Sequence, residues 1–300
     1  MPDRIATTVD GRPLALSNLE KVLWPATGFT KGEALHYYAL AAPVLLPHLR
    51  RRPASFVRFP DGVEGERFYI KHPPPGLPDW APTVEVSGKD GSRRQVVVDD
   101  VPTLMALANL GALELHVPQW TADGGPDAHD RLVVDLDPGP GAGLPECCRV
   151  ACLVREALAE DGLECWVKTS GSKGLHLYAP LVPAPGRLVS GYAKAVAQRL
   201  EADHPALVLS RMARHLRPGK VFVDWSQNAS AKTTAAPYTL RARRTPTVST
   251  PVTWEEVARC TRPEQLAFTP GQVLARVERD GDPFASLTDP ARARPLPGTR

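Results

Sequence analysis

The alternation of apolar and polar positions divides the chain into short strands and amphipathic helices joined by tight turns. Thr30 and Glu33 form a T-x-x-E capping box ahead of Ala34, Leu35, Tyr37, Tyr38 and Leu40, which predicts a helix that Pro43 ends or kinks. Residues 55–59, 84–87 and 95–98 read as strands, the last two flanking Gly-Lys-Asp-Gly, a hairpin signal. Residues 101–109 read as a helix and 113–117 as an alternating strand. The apolar run Arg-Leu-Val-Val-Asp-Leu-Asp at 131–137 then opens a second half. There, helices at 146–160 and 188–202 and a short one at 254–259 alternate with strands at 165–169, 175–181 and 220–225. Several neighbouring strands are too close for crossover helices, so the pattern predicts an α+β fold with mixed or antiparallel sheets flanked by helices.

Composition sharpens this picture. Hydrophobic residues make up 43% of 300, enough for a substantial interior, and 32 prolines point to many fixed loops rather than a helix bundle. The Pro- and Arg-rich end from residue 279 predicts a loosely attached stretch, with 286–300 a flexible tail or linker. Residues 1–285 are expected to hold one catalytic unit, with a binding part to about 125 and a catalytic part from about 126. Net charge is +3, and the basic residues cluster at Arg50 to Arg52, Arg93-Arg94, Arg211 to Lys220 and Arg241 to Arg244. Five cysteines without paired metal spacing read as reduced, mostly buried thiols. No signal peptide is visible and no apolar run nears the ~18 residues of a membrane span, so a cytoplasmic, nucleoid-associated protein with no membrane partner is expected.

Four patterns carry chemistry. Asp135 and Asp137 share one face at the end of an apolar strand, where a divalent cation would relieve their repulsion. Ser170-Gly-Ser-Lys-Gly-Leu-His follows, its glycines letting backbone approach a ligand and its Ser170, Ser172, Lys173 and His176 offering donors for phosphate oxygens. Asp224 closes another apolar strand and would complete a two-metal set. Arg241 and Arg243, on one face of an extended segment, suit a triphosphate. Each alone has a plainer reading: loop-edge aspartates, a polar hairpin, a strand cap, an exposed basic edge.

In order, the D-L-D, S-G-S-K-G-x-H and strand-terminal Asp motifs resemble those of the archaeo-eukaryotic primase superfamily. Ser17-Asn-Leu-Glu-Lys-Val-Leu-Trp-Pro, Leu113-Glu-Leu-His-Val-Pro-Gln-Trp and Ala236-Pro-Tyr-Thr-Leu-Arg-Ala-Arg extend the likeness to the polymerase domain of bacterial DNA ligase D, over roughly residues 10–285. The resemblance implies a primase-like polymerase fold, with Asp135, Asp137 and Asp224 holding metal. It implies Ser170, Lys173, His176, Arg241 and Arg243 on the nucleotide, with Ser172, Gln227 and His116 as further contacts. Asn18, Lys21 and Lys31 would grip a downstream 5′-phosphate, and Lys31 begins the capped helix, where open N–H groups and the dipole favour an anion. Phe68 and Tyr69 would stack on the templating base, Tyr69 standing where the family usually carries Phe. Lys71, Arg93 and Arg94 would contact DNA backbone or bridge ends. His116 alternates with Leu115 and Val117, so it is expected to face away from the core together with Glu114.

The implied activity is template-directed addition of NTPs or dNTPs to primer 3′ ends, with Mn2+ or Mg2+ as cofactor, in gap filling and end extension during non-homologous end joining. The implied partners are gapped or broken DNA bearing a 5′-phosphate, the end-binding protein Ku, and ligase and phosphoesterase modules in cis or trans. A replication-type primase, a nuclease built on the same acids and a non-catalytic end-binding module are the alternatives.

Overall fold

The computed structural model describes residues 4–88 and 91–298, so Lys89 and Asp90 of the expected hairpin turn and the last two residues of the expected tail lie outside the described residues. The chain forms two compact units, each gathered from three stretches. Unit 1 holds Met1–Val117, Ala235–Val248 and Thr269–Arg279; unit 2 holds Pro118–Thr234, Ser249–Phe268 and Asp280–Arg300. This interleaving differs from the single break expected near residue 125.

Unit 1 opens with an antiparallel hairpin of β1 (Arg4–Val9) and β2 (Arg12–Ser17), then β3 (Val22–Trp24) paired with β4 (Phe29–Thr30). Helix α1 (Lys31–Leu49) starts at the expected box, with Glu33 N donating to Thr30 Oγ1 at 3.2 Å and Thr30 N to Glu33 Oε2 at 2.7 Å. It runs on through Pro43 and Pro47 instead of stopping. Each proline forfeits one helical hydrogen bond, but Leu45 and Leu49 beyond Pro43 are fully buried, and that burial favours continuing. Strands β5 (Ser55–Arg58) and β6 (Phe68–Ile70), the hairpin of β7 (Thr83–Gly88) and β8 (Gly91–Val96), helix α2 (Val101–Asn109) and β9 (Ala112–Val117) complete this stretch.

Unit 2 begins with β10 (His129–Pro138), α3 (Leu144–Glu160), β11 (Trp166–Thr169) and β12 (Leu175–Ala184). After them come α4 (Gly186–Asp203), β13 (Val208–Leu209) and β14 (Val221–Asp224). The chain then adds β15 (Thr234–Ala235) beside β9, in the order β15-β9-β5-β6, and the β16 (Leu240–Ala242) and β17 (Pro246–Val248) hairpin. It returns to unit 2 with β18 (Pro251–Val252) and α5 (Trp254–Ala258), and α6 (Pro270–Asp280) follows. The six-stranded sheet of unit 2 runs β13-β14-β10-β12-β11-β18, antiparallel except for the β13–β14 pair. The fold is thus α+β with largely antiparallel sheets.

Within unit 2 the described tail is packed, where the sequence predicts a loose end. Phe284 and Leu287 lie against Val133 and Tyr178. Val182 N donates to Arg294 O at 3.0 Å, and Leu296 is buried. Widely spaced apolar residues in a Pro- and Arg-rich stretch are enough to dock it, though they show no period.

Candidate functional site

Sheet pairing assembles the acids. Strands β10 and β14 run antiparallel with Asp135 directly opposite Asp224, and Asp137 lies two residues along on the same face as Asp135. Ligand oxygens of Asp135, Asp137 and Asp224 all fall within 4.8 Å of one another, the one such cluster among the described residues. Asp224 is held in place: Oδ1 accepts from Ser226 N at 3.0 Å and Ser226 Oγ at 2.5 Å, and Oδ2 accepts from Gln227 Nε2 at 3.0 Å. Burial, reinforced by the charges of Asp135 and Asp224, pushes the Asp137 carboxyl up to about 7 against the opposing pull of Arg217. An all-oxygen donor set of three carboxylates that repel one another fits a hard divalent cation.

The Gly-rich loop joins β11 to β12 and abuts the acids. Ser170 Oγ accepts from the N–H groups of Ser172 and Gly174, both at 3.2 Å, and Ser170 N donates to Gly174 O at 2.9 Å. Gly171 sits at φ 67°, in the left-handed region. Gly174 is confined by protein, not left open for a ligand: a Cβ there would run into the Leu136 carbonyl oxygen of β10. Its lack of a side chain seats the loop against the D-L-D strand. Ser172 and Lys173 are exposed, while Ser170 and His176 are buried. His176 Nε2 lies 3.3 Å from Asp135 Oδ1.

Unit 1 carries the remaining expected residues in two groups. Lys31 Nζ donates to Ser17 O at 2.5 Å, and Lys21 Nζ to Pro60 O at 2.7 Å and Asp61 Oδ1 at 2.8 Å; Asn18, between these segments, adopts φ 54°. Burial and the neighbouring Lys21 charge lower the Lys31 ammonium to about 8. The open helix N-terminus expected here is closed. Lys31 N donates to Lys21 O and Gly32 N to Leu19 O, both at 2.8 Å, and Glu33 N is taken by Thr30. Any anion at this point must be held by side chains.

In the second group, Phe68 and Tyr69 are exposed by 41% and 53%. The Tyr69 ring meets His116 edge-on at 6.3 Å, and Lys71 Nζ lies 6.0 Å from its centroid. Arg93 and Arg94 project from the exposed hairpin, Arg94 bonding Thr83 Oγ1 at 3.0 Å. Glu114 is buried, where alternation in β9 had it facing outward with His116, because β16 packs over it. Its carboxylate meets Arg241 Nε at 3.2 Å and His116 Nε2 at 3.1 Å and accepts from Ala242 N at 2.9 Å. Burial pushes this carboxyl up, but His116, Arg241 and the Ala242 amide more than offset that and hold it at about 2. Arg241 and Arg243 do not share the face of a continuous strand: β16 ends at Ala242 and Arg243 N turns back to Arg241 O at 2.9 Å.

A protein-family model, LigD primase-polymerase domain, matches residues 30–284. The chain belongs to that family. Among curated LigD relatives, the multifunctional non-homologous end joining protein of Mycobacterium bovis is 46% identical over 277 residues, covering 90% of this chain and 36% of the relative. The bifunctional LigD of Bacillus subtilis is 30% identical over 285 residues, 94% of this chain and 45% of its own length. The chain thus spans little more than a third of the first LigD relatives it matches. Its fold is similar to the polymerase domain from Mycobacterium tuberculosis ligase D in complex with DNA, with TM-score 0.87 and 44% identity over 92% of this chain and 98% of that one. In this LigD primase-polymerase domain, unit 2 gathers the acids, the loop, His176 and Gln227, while unit 1 holds Arg241, Arg243, His116 and both groups of expected DNA contacts. Sequence reading missed Ser226, which holds Asp224, and Glu114, which ties Arg241 to His116. It also missed Lys168 behind His176, although a lysine in the apolar run Trp-Val-Lys-Thr was a visible signal.

Proposed function

We propose that this chain is a template-directed nucleotidyltransferase that adds NTPs or dNTPs to primer 3′ ends, filling gaps and extending ends in non-homologous end joining. The observation that carries this reading is the Asp135, Asp137 and Asp224 cluster on adjacent strands of a LigD primase-polymerase domain. Mn2+ or Mg2+ held by these carboxylates in a two-metal arrangement would neutralise phosphate charge and lower the pKa of the attacking hydroxyl.

The chain's own groups bind and orient. Ser170, Ser172, Lys173 and His176 donate to triphosphate oxygens, and Gln227 steadies Asp224 beside them. Arg241 and Arg243, with His116, are assigned to the nucleotide from unit 1. The primer 3′-oxygen forms a bond to the α-phosphorus as the bond to the bridging oxygen breaks, and pyrophosphate leaves with its charge held by Lys173 and the arginines. Asn18, Lys21 and Lys31 grip a 5′-phosphate across the gap. Phe68 and Tyr69 stack on the templating base, and Lys71, Arg93 and Arg94 follow the DNA backbone. Ku and the ligase and phosphoesterase modules are the proposed partners; the multifunctional and bifunctional names and the greater lengths of the relatives support further modules beside this domain.

The test is extension of a labelled primer opposite a short gap, with Mn2+ and each NTP or dNTP, with and without a downstream 5′-phosphate. Extension stimulated by the phosphate and abolished by Asp137→Ala is expected. Absence of extension with phosphate-dependent binding intact would replace this reading with a non-catalytic end-binding module.

A further inference from the structure

Lys168, in β11, has none of its surface exposed. An ammonium so placed is costly unless its protons find acceptors. Its Nζ lies 2.5 Å from Ser249 Oγ, 3.0 Å from His176 Nδ1 and 3.5 Å from Thr169 O. Ser249 Oγ donates onward to Thr169 O at 2.9 Å, which turns its lone pairs toward Lys168. The Tyr178 hydroxyl is a more distant neighbour of the same imidazole nitrogen at 3.5 Å, and it sits 2.8 Å from Thr234 Oγ1.

Sheet register makes this contact part of a larger row. Lys168 stands opposite His176, His176 opposite Asp135, and Asp135 opposite Asp224, so one rung crosses β11, β12, β10 and β14. Residues paired this way share a face of the sheet. The imidazole of His176 is therefore flanked by an ammonium at Nδ1 and a carboxylate at Nε2, the latter at 3.3 Å. An ammonium only donates and a carboxylate only accepts. The neutral ring that satisfies both carries its lone pair on Nδ1 and its proton on Nε2.

We propose that Lys168 is a positioning residue that fixes the Nε2–H tautomer and the ring orientation of His176, aiming its one N–H at the acid cluster. The tautomer follows from this rung alone. The purpose given to it, setting the imidazole beside the acids where nucleotide phosphate would bind, rests on the nucleotidyltransferase reading.

Long-range proton–nitrogen NMR of the whole chain, at neutral to mildly alkaline pH, reads the tautomer directly, with the His176 signals identified by their loss in His176→Gln. In the unsubstituted protein, Nδ1 should show the shift of a bare ring nitrogen and Nε2 that of a protonated one. Lys168→Met keeps the length and apolar body of the side chain. It should give mixed tautomers and raise the nucleotide KM by about 10–100-fold, as removal of an orienting partner commonly does, with little change in thermal midpoint. Should that variant not fold, Ser249→Ala, which lets Nζ swing off the ring, should shift tautomer and KM in the same direction by less. A protonated Nδ1 in the unsubstituted protein overturns the inference, as does a folded Lys168→Met with tautomer and KM unchanged. If the unsubstituted protein extends no primer, the nucleotidyltransferase reading falls while the NMR result still decides the role of Lys168.

Discussion

Gly174 joins two motifs that lie far apart in sequence, because the Leu136 carbonyl oxygen occupies the space its side chain would take. Gly174→Ala should cost about 1–3 kcal/mol in urea unfolding and separate the loop from the acids, lowering metal binding as well. Lys31 leads to a pH prediction. Its lowered pKa means that the unfolded chain binds more protons between about 8 and 10.5, so stability gains with pH there, while the charge needed for a phosphate disappears. The affinity advantage of 5′-phosphorylated over unphosphorylated gapped DNA should shrink as pH rises through about 8, measured by fluorescence anisotropy. Glu114 is shifted in the same direction, so its slope has the same sign but lies at acid pH. Depressed from 4.5 to about 2, it contributes stability that is fully present above 4.5 and lost as pH falls toward 2. Glu114→Gln should flatten that acid limb in denaturation curves and weaken nucleotide binding by releasing Arg241. The role of Glu114 could not be read from β9 alone, since the strand that covers it comes more than a hundred residues later. Asp135, Asp137, Asp224 and the Ser170 loop were legible because each closes a strand or fills a turn in the local pattern.

Among the elements, the paired ends of β10 and β14 bring three carboxylates together. A raised carboxyl pKa means that the fold holds a proton that the unfolded chain has released between 3.8 and about 7, so metal-free stability falls as pH climbs through that window. A bound cation should reverse this. Thermal unfolding with Mn2+ and with a chelator should differ more well above pH 7 than well below it, and Asp137→Asn should remove most of the difference. Helix and strand positions in the second half were largely readable from periodicity, as in α3, β12 and α4. What escaped were short strands such as β3, β4 and β15, which bury too little to leave a period, and the passage of α1 through Pro43, decided by tertiary burial.

For the whole molecule, the chain passes between its two units repeatedly, and unit 1 is incomplete without residues that follow the first stretch of unit 2 in sequence. Tyr37 OH donates to Tyr238 O at 2.7 Å, and Leu240 N donates to Tyr38 OH at 3.1 Å. A fragment ending at Val117 should therefore lack cooperative unfolding by circular dichroism, although it holds most of unit 1. The returns to unit 1 at Ala235 and Thr269 leave no mark in composition. The same interleaving constrains how such a chain can recombine with its relatives. A single crossover near Val117 would pair one parent's α1 with the other parent's Tyr238 and Leu240 strand, so chimaeras that exchange a unit intact must carry three separate inserts together.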